Sequence, residues 1–197
     1  MNTFTIIFLI AVVISYSIQS WLSSRQKSFV LKHRNAVPEA FKDSVTLEAH
    51  QKAADYTVAK GNLGEIDSIV GVMFLMILTL GGGISLVFKL WSISGLSPMM
   101  MELAAVGSII LVMTLFEIPS SFYQTFVIEE KFGFNKSTVA QFFKDQAISL
   151  SLVLAIGLPI LALILWVMES VGEFWWLYAW AILMSFSLLM SWLFPTV

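Results

Sequence analysis

The apolar positions of this chain fall into long unbroken runs, and the polar positions are gathered between them. Met1–Ser24 carries no charged side chain, and Ser68–Phe88, Gln146–Met168 and Phe174–Val197 are likewise uncharged. A helix that crosses a bilayer needs about 20 predominantly apolar residues, so each run is long enough. Leu103–Phe116 is short alone, but it reaches that length by continuing past Glu117 toward Tyr123, with Pro119 bending it. The pattern predicts an all-α, polytopic membrane protein with about five transmembrane helices, over roughly residues 3–22, 67–90, 100–123, 146–168 and 174–195. The first run lacks a basic leader, and its apolar stretch exceeds the roughly 7–15 residues of a signal-peptide core. It therefore reads as an uncleaved membrane helix.

The segment between the first two spans, Ser23–Asp67, is too long for a simple connector. Val37-Pro38 marks a break, because proline disfavours helix at the residue before it. Ser44–Ala59 has a helical, amphipathic pattern, with Thr46 or Ser44 as its N-cap and Gly61 and Gly64 as its stop. Such a cytoplasmic loop helix would lie on the membrane surface or against a partner domain. Gly81-Gly82-Gly83 falls inside the second predicted span, where it would loosen the helix or allow close packing. After Gly133, a short amphipathic helix bearing Val139, Phe142 and Phe143 is expected, capped by Asn135 or Ser137.

Composition sharpens this picture. The chain of 197 residues is 58% hydrophobic and 12% charged, with a mean hydropathy of +0.85. A soluble domain carries about 25% charged residues. Arg25, Lys27, Lys32, Arg34, Lys42, Lys52 and Lys60 lie between the first and second spans, and Lys131, Lys136 and Lys144 between the third and fourth. The positive-inside rule places both basic loops in the cytoplasm, with the N-terminus out and the C-terminus cytoplasmic. Compact loops favour a bacterial inner membrane over the endoplasmic reticulum. A net charge of −2 gives no basis for nucleic acid as a partner. The absence of cysteine excludes disulfides, thiolate metal ligands and a cysteine nucleophile.

Candidate chemistry is sparse. The two histidines, His33 and His50, are followed by Arg34 and Gln51, so neither begins a His-Glu-x-x-His metal motif. No Gly-x-Ser-x-Gly elbow is present. These residues give no support to an independent hydrolase. Glu117 precedes Ile118-Pro119 at the end of an apolar run, where a carboxylate must face water or the bundle interior. It reads either as a wall group of a polar cavity or as an interhelix hydrogen-bonding group. The densest polar feature is Ile128-Glu129-Glu130-Lys131-Phe132-Gly133-Phe134-Asn135-Lys136, followed by Phe143-Lys144-Asp145. Gly133 suits a turn with Phe132 and Phe134 inserted on either side of it.

This run, within Tyr123–Thr138, resembles the N-terminal membrane region of the type I CAAX prenyl proteases, which are integral-membrane zinc endopeptidases. The segment Gln51-Lys52-Ala53-Ala54-Asp55-Tyr56, the order of helices and the closing Leu193-Phe194-Pro195-Thr196-Val197 are similar to the family as well. The resemblance implies helices that ring an intramembrane chamber. It also implies a zinc site in a later catalytic region, where zinc would polarise the scissile carbonyl and a water, with a glutamate as general base. No zinc ligand or catalytic glutamate of the family has a matching position here. Residues 1–197 therefore read as the non-catalytic N-terminal transmembrane domain of such an enzyme, inactive alone and without the catalytic zinc domain. Zinc is expected for the full-length protein and none for this chain. The implied partners are the lipid bilayer, the missing C-terminal catalytic domain, and a peptide or prenylated-protein substrate. The alternative is a stand-alone membrane scaffold or binding module. Glu117, Glu129, Glu130, Lys131, Phe132, Gly133, Phe134, Asn135, Lys144 and Asp145 are the candidate interdomain or substrate-access residues.

Overall fold

Asn2 begins the first helix by accepting a hydrogen bond on its side-chain oxygen from the Thr5 N–H at 2.8 Å. The computed structural model describes residues 2–193. Residues 194–197 of the closing motif, and the end of the expected 174–195 span, lie outside the described residues. Helix α1 covers Thr3–His33 and is followed by a 3-10 turn at Glu39–Phe41. Helix α2 covers Leu47–Thr79, α3 Gly83–Ser92 and α4 Pro98–Tyr123. A π-helical turn, Gln124–Glu129, follows α4 directly. Helix α5 runs Val139–Val171, a 3-10 turn occupies Gly172–Phe174, and α6 runs Trp175–Leu193.

The helical stretches long and apolar enough to cross a membrane are Thr3–His33, Leu47–Thr79, Pro98–Glu129 and Val139–Leu193. The last, at 55 residues, contains both α5 and α6. They part at Gly172, whose φ of 69° a helix cannot continue. Five long α-helices result among the described residues, and the chain is all-α and membrane-integral in design. Most large apolar side chains on these helices are exposed, and among the described residues no side chain as large as leucine is fully buried. Such outward-facing apolar surface suits a lipid solvent.

Several expectations are corrected. Gly61 and Gly64 do not stop the loop helix; α2 runs through both into the apolar run. A glycine in a helix costs about 1 kcal/mol relative to alanine, too little by itself to end a helix of this length. At Gly61 the stem of Lys27 lies so close that an added Cβ would stand 3.0 Å from its Cδ. The triglycine goes further than loosening the second predicted span. It ends α2 rather than lying inside it, with Gly82 at φ 80° between α2 and α3. The helix after the charged turn is capped by Thr138, whose Oγ1 accepts the Gln141 N–H at 3.2 Å, and not by Asn135 or Ser137. That helix is also not short, because it is the start of the 33-residue α5. Helix α4, by contrast, has the extent anticipated for it, continuing past Glu117 and Pro119 to Tyr123.

The described chain divides into two compact units. The first combines residues 1–83 with 115–142. In it α1 and α2 form an antiparallel hairpin. Ser23 Oγ donates to Glu65 Oε1 at 3.1 Å, and Lys27 Nζ donates to Asn62 Oδ1 at 2.9 Å and pairs with Glu65 at 2.7 Å. Farther out, the Arg34 guanidinium grips both oxygens of Asp55 at 2.7 Å. Phe74 of α2 stacks on Phe116, with ring centres 4.4 Å apart. The second unit combines residues 84–114 with 143–197. There Trp91 Nε1 donates to Ser108 Oγ at 2.9 Å, Ala105 is fully buried, and Gly107 faces Leu158 at van der Waals distance.

Candidate functional site

The charged turn is built on the end of the π-helical segment. In a π turn each bond spans one residue more than in an α-helix, which places side chains five apart on one face. Gln124 Nε2 accordingly donates to Glu129 Oε1 at 3.1 Å. The segment ends in a Schellman arrangement: Gly133 N donates to Glu130 O at 3.0 Å, and Phe134 N donates to Glu129 O at 2.8 Å. Gly133 takes the required left-handed conformation at φ 72°. Asn135 Nδ2 then reaches back to Glu130 Oε2 at 2.9 Å, and its Oδ1 accepts the Ser137 N–H at 2.8 Å. Both glutamates are thus occupied in holding the turn.

The aromatic residues dock the turn onto α2. Phe132 and Phe134 meet the Tyr56 ring edge-on, at centroid distances of 5.4 Å and 4.9 Å. Phe132 and Ile128 are buried with Leu63, and Tyr56 and Ala59 pack around them. Three ammonium groups surround these rings. Lys52 Nζ lies 5.3 Å from the Phe134 centroid, Lys60 Nζ 5.5 Å from Tyr56 and Lys131 Nζ 5.7 Å from Phe132. Among the described residues none of these three lysines lies within ion-pair distance of a carboxylate.

The charges that do pair lie before the uncharged run of α2. The Arg34 hydrogen bonds hold the Asp55 carboxyl below its ordinary range, with a further contribution from the charge of Lys131. Lys27 and Ser23 do the same for Glu65. The Arg34 guanidinium is correspondingly held above its usual value by its bonds to Asp55.

The candidate residues from Glu129 to Asn135 therefore form one structure together with α2. Glu117 is in the same unit but exposed on α4, and no hydrogen bond joins it to another helix among the described residues. Lys144 and Asp145 belong to the second unit and are exposed on α5. The residues missed from sequence are Lys52, Tyr56, Lys60 and Leu63. A signal for three of them was present, because Lys52, Tyr56 and Lys60 recur at four-residue spacing and share one helix face.

Among the described residues no three His, Cys, Asp or Glu side chains gather to hold a metal ion. His33 Nδ1 lies 2.8 Å from the Phe29 carbonyl oxygen, and His50 Nε2 lies 3.0 Å from that of His33. The residues present do not fit the zinc that the family resemblance implies.

A helical membrane chain with a docked, Schellman-closed charged turn now has a place among known proteins. The family described as CAAX prenyl protease N-terminal, five membrane helices, matches residues 26–197, and the chain belongs to it. A CAAX prenyl protease 1 homolog of Dictyostelium discoideum is 31% identical over 89% of this chain and 42% of its own length. The homolog of Mus musculus is 28% identical over 93% of this chain and 41% of its own. The crystal structure of S. mikatae Ste24p superposes with a TM-score of 0.89 at 26% identity, covering 99% of this chain and 46% of that one. The chain thus spans less than half the length of these relatives. The relatives named here are eukaryotic, and they lend no support to a bacterial inner membrane.

Proposed function

We propose that residues 1–197 are the non-catalytic membrane domain of a zinc metalloendopeptidase, serving as chamber wall, anchor and route of substrate access. The observation that carries this reading is a family match over residues 26–197 on a chain that aligns with only 42% of the Dictyostelium relative. The substrate of the whole enzyme would be a CAAX-type prenylated protein or another membrane-associated peptide. Zinc and the general base would be supplied by a C-terminal catalytic domain outside these residues. The gathering of basic residues in two loops supports an outward N-terminus and a cytoplasmic C-terminus. On that orientation the turn from Glu129 to Asn135 lies at the cytoplasmic face and fixes the catalytic domain against the membrane portal. Glu117, Lys144 and Asp145 are the further candidates for that interface.

The experiment is a protease assay on the protein encoded when the reading frame is followed past Val197. A His-Glu-x-x-His helix and zinc-dependent cleavage of a prenylated peptide are the expected result. Alanine at Glu130 and Lys131 should then lower cleavage while expression holds. A reading frame that closes without such a motif would leave a membrane scaffold as the function.

A further inference from the structure

Two adjoining cavities, of about 410 Å³ and 240 Å³, form one groove along the α1–α2 hairpin, because Tyr16, Gln19 and Ser68 line both. Its α1 wall is polar. Ser15, Gln19 and Ser23 recur at four-residue spacing, with Tyr16 and Ser20 beside them. Ile7, Ile10, Ile14 and Ile18 take the opposite face of the helix and are exposed. The polar wall also runs deep. Ser15 lies nine residues inside Ser24, the end of the uncharged run. At a rise of about 1.5 Å per residue that is about 14 Å, close to half of the roughly 30 Å hydrocarbon core. Deeper still the lining turns apolar, with Phe8, Val12, Val72 and Leu75. At its other end the groove opens beside Ser23 and Glu65, where Lys27 pairs with Glu65 at 2.7 Å.

The polar groups in this groove only partly satisfy one another. Gln19 Nε2 donates to Ser15 Oγ at 3.2 Å, and Ser68 Oγ donates to the Gly64 carbonyl oxygen at 2.8 Å. Among the described residues the Tyr16 and Ser20 hydroxyls and Gln19 Oε1 make no hydrogen bond within the protein. An acyl chain in the groove would leave all three unmet, which is costly in hydrocarbon. Hydroxyls and a carboxamide need donors as well as acceptors. Water supplies both, and the groove has room for several waters at about 30 Å³ each. We propose that the groove is a water-filled inlet, carrying the aqueous phase from the Lys27–Glu65 pair to about the middle of the bilayer and ending blind at Phe8 and Leu75. The inference concerns the hydration of the hairpin, and it stands whether or not the whole protein is a protease.

The test uses single cysteines, which residues 1–197 otherwise lack. The protein expressed from its whole reading frame, in membranes opened to both faces, is treated with a charged methanethiosulfonate. Labelling is read by mass spectrometry on the peptide that bears the new cysteine. The thiolate is the reacting species and apolar surroundings suppress it, so Ser15→Cys and Gln19→Cys should be labelled at least about tenfold faster than Ile14→Cys and Ile18→Cys. Those isoleucines lie at the same depth on the opposite face. Ser28→Cys, exposed beyond the uncharged run, sets the rate for full access. Ser15→Cys exchanges a hydroxyl for a thiol of similar size, so the test does not hang on whether the fold accepts the change at Gln19. The proposal is overturned if either groove variant is labelled as slowly as the isoleucine variants, as it would be if another helix of the protein or an acyl chain filled the groove. Isoleucine variants labelled as fast as Ser28→Cys would overturn it too, because both faces of α1 would then be wet.

Discussion

Gly133→Ala isolates one physical term at the charged turn. An added Cβ would meet only Lys52 Nζ at 3.8 Å, an ordinary contact with the end of a flexible side chain. Space is therefore not the obstacle, and the backbone is. An L-residue in the left-handed region costs about 1–2 kcal/mol. Alanine recovers about 0.5–1 kcal/mol of this because it loses less chain entropy on folding than glycine. The net destabilisation is about 1 kcal/mol, which corresponds to roughly a fivefold change in a local opening equilibrium. The direct reporter is the Phe134 amide, which donates to Glu129 O at 2.8 Å and closes the Schellman motif. Hydrogen–deuterium exchange of a peptide covering residues 129–136, in detergent or nanodiscs, should accelerate about fivefold in Gly133→Ala. Gly133→Asn should fall between, because asparagine tolerates this conformation better. Gly64→Ala supplies the opposite sign. Gly64 is helical with nothing within 4 Å of its added Cβ, so alanine there should slow exchange in α2 by roughly the 1 kcal/mol propensity difference. Unchanged or slower exchange in Gly133→Ala would refute the argument, because the turn would then not depend on a left-handed residue.

Phe132 is 8% exposed at the centre of the contact between the turn and α2. Phe132→Ala should cost about 3 kcal/mol, the low end for such truncations because this cluster is small, read as a lower denaturation midpoint; Phe132→Leu should lose less. Acid should loosen the α1–α2 hairpin, since Asp55 and Glu65 both have carboxyl values held below their ordinary ones. Their contribution is complete above about pH 4.5 and is lost as pH falls through the lowered values, so the midpoint should be flat from about pH 8 to 5 and drop below about 4. Asp55→Asn should flatten that acid limb, and an equal drop in the variant would remove Asp55 from the explanation.

Much of the fold was legible because lipid imposes a simple rule: a spanning helix must be long and uncharged. Residues 3–24 and Gln146–Met168 accordingly fall within single long helices, whereas the uncharged run Ser68–Phe88 is broken at the triglycine. The glycines were harder to read. Gly61 and Gly64 carry the same local signal as Gly81–Gly83, yet α2 passes through the first pair and ends before the triplet. The Lys27 stem lies against Gly61, while nothing lies within 4 Å of an added Cβ at Gly64 or Gly82. The π-helical turn at Gln124–Glu129 had no sequence pattern that would single it out. The charged turn itself stood out as an island of polarity, but its partner face on α2 did not. Pairing Tyr56 with Phe132 and Phe134 joins segments about 76 residues apart, and no local periodicity encodes such a contact.

The sequence by itself determined the solvent of this protein, its helical class and its family, because hydrophobic run length and a specific local motif are properties of neighbouring residues. Only the tertiary structure decided that the loop helix runs on into the second span as far as Thr79, that Glu129 and Glu130 hold a turn, and that three lysines ring an aromatic cluster. Those outcomes depend on which distant surfaces meet, where packing outweighs propensities of about 1 kcal/mol.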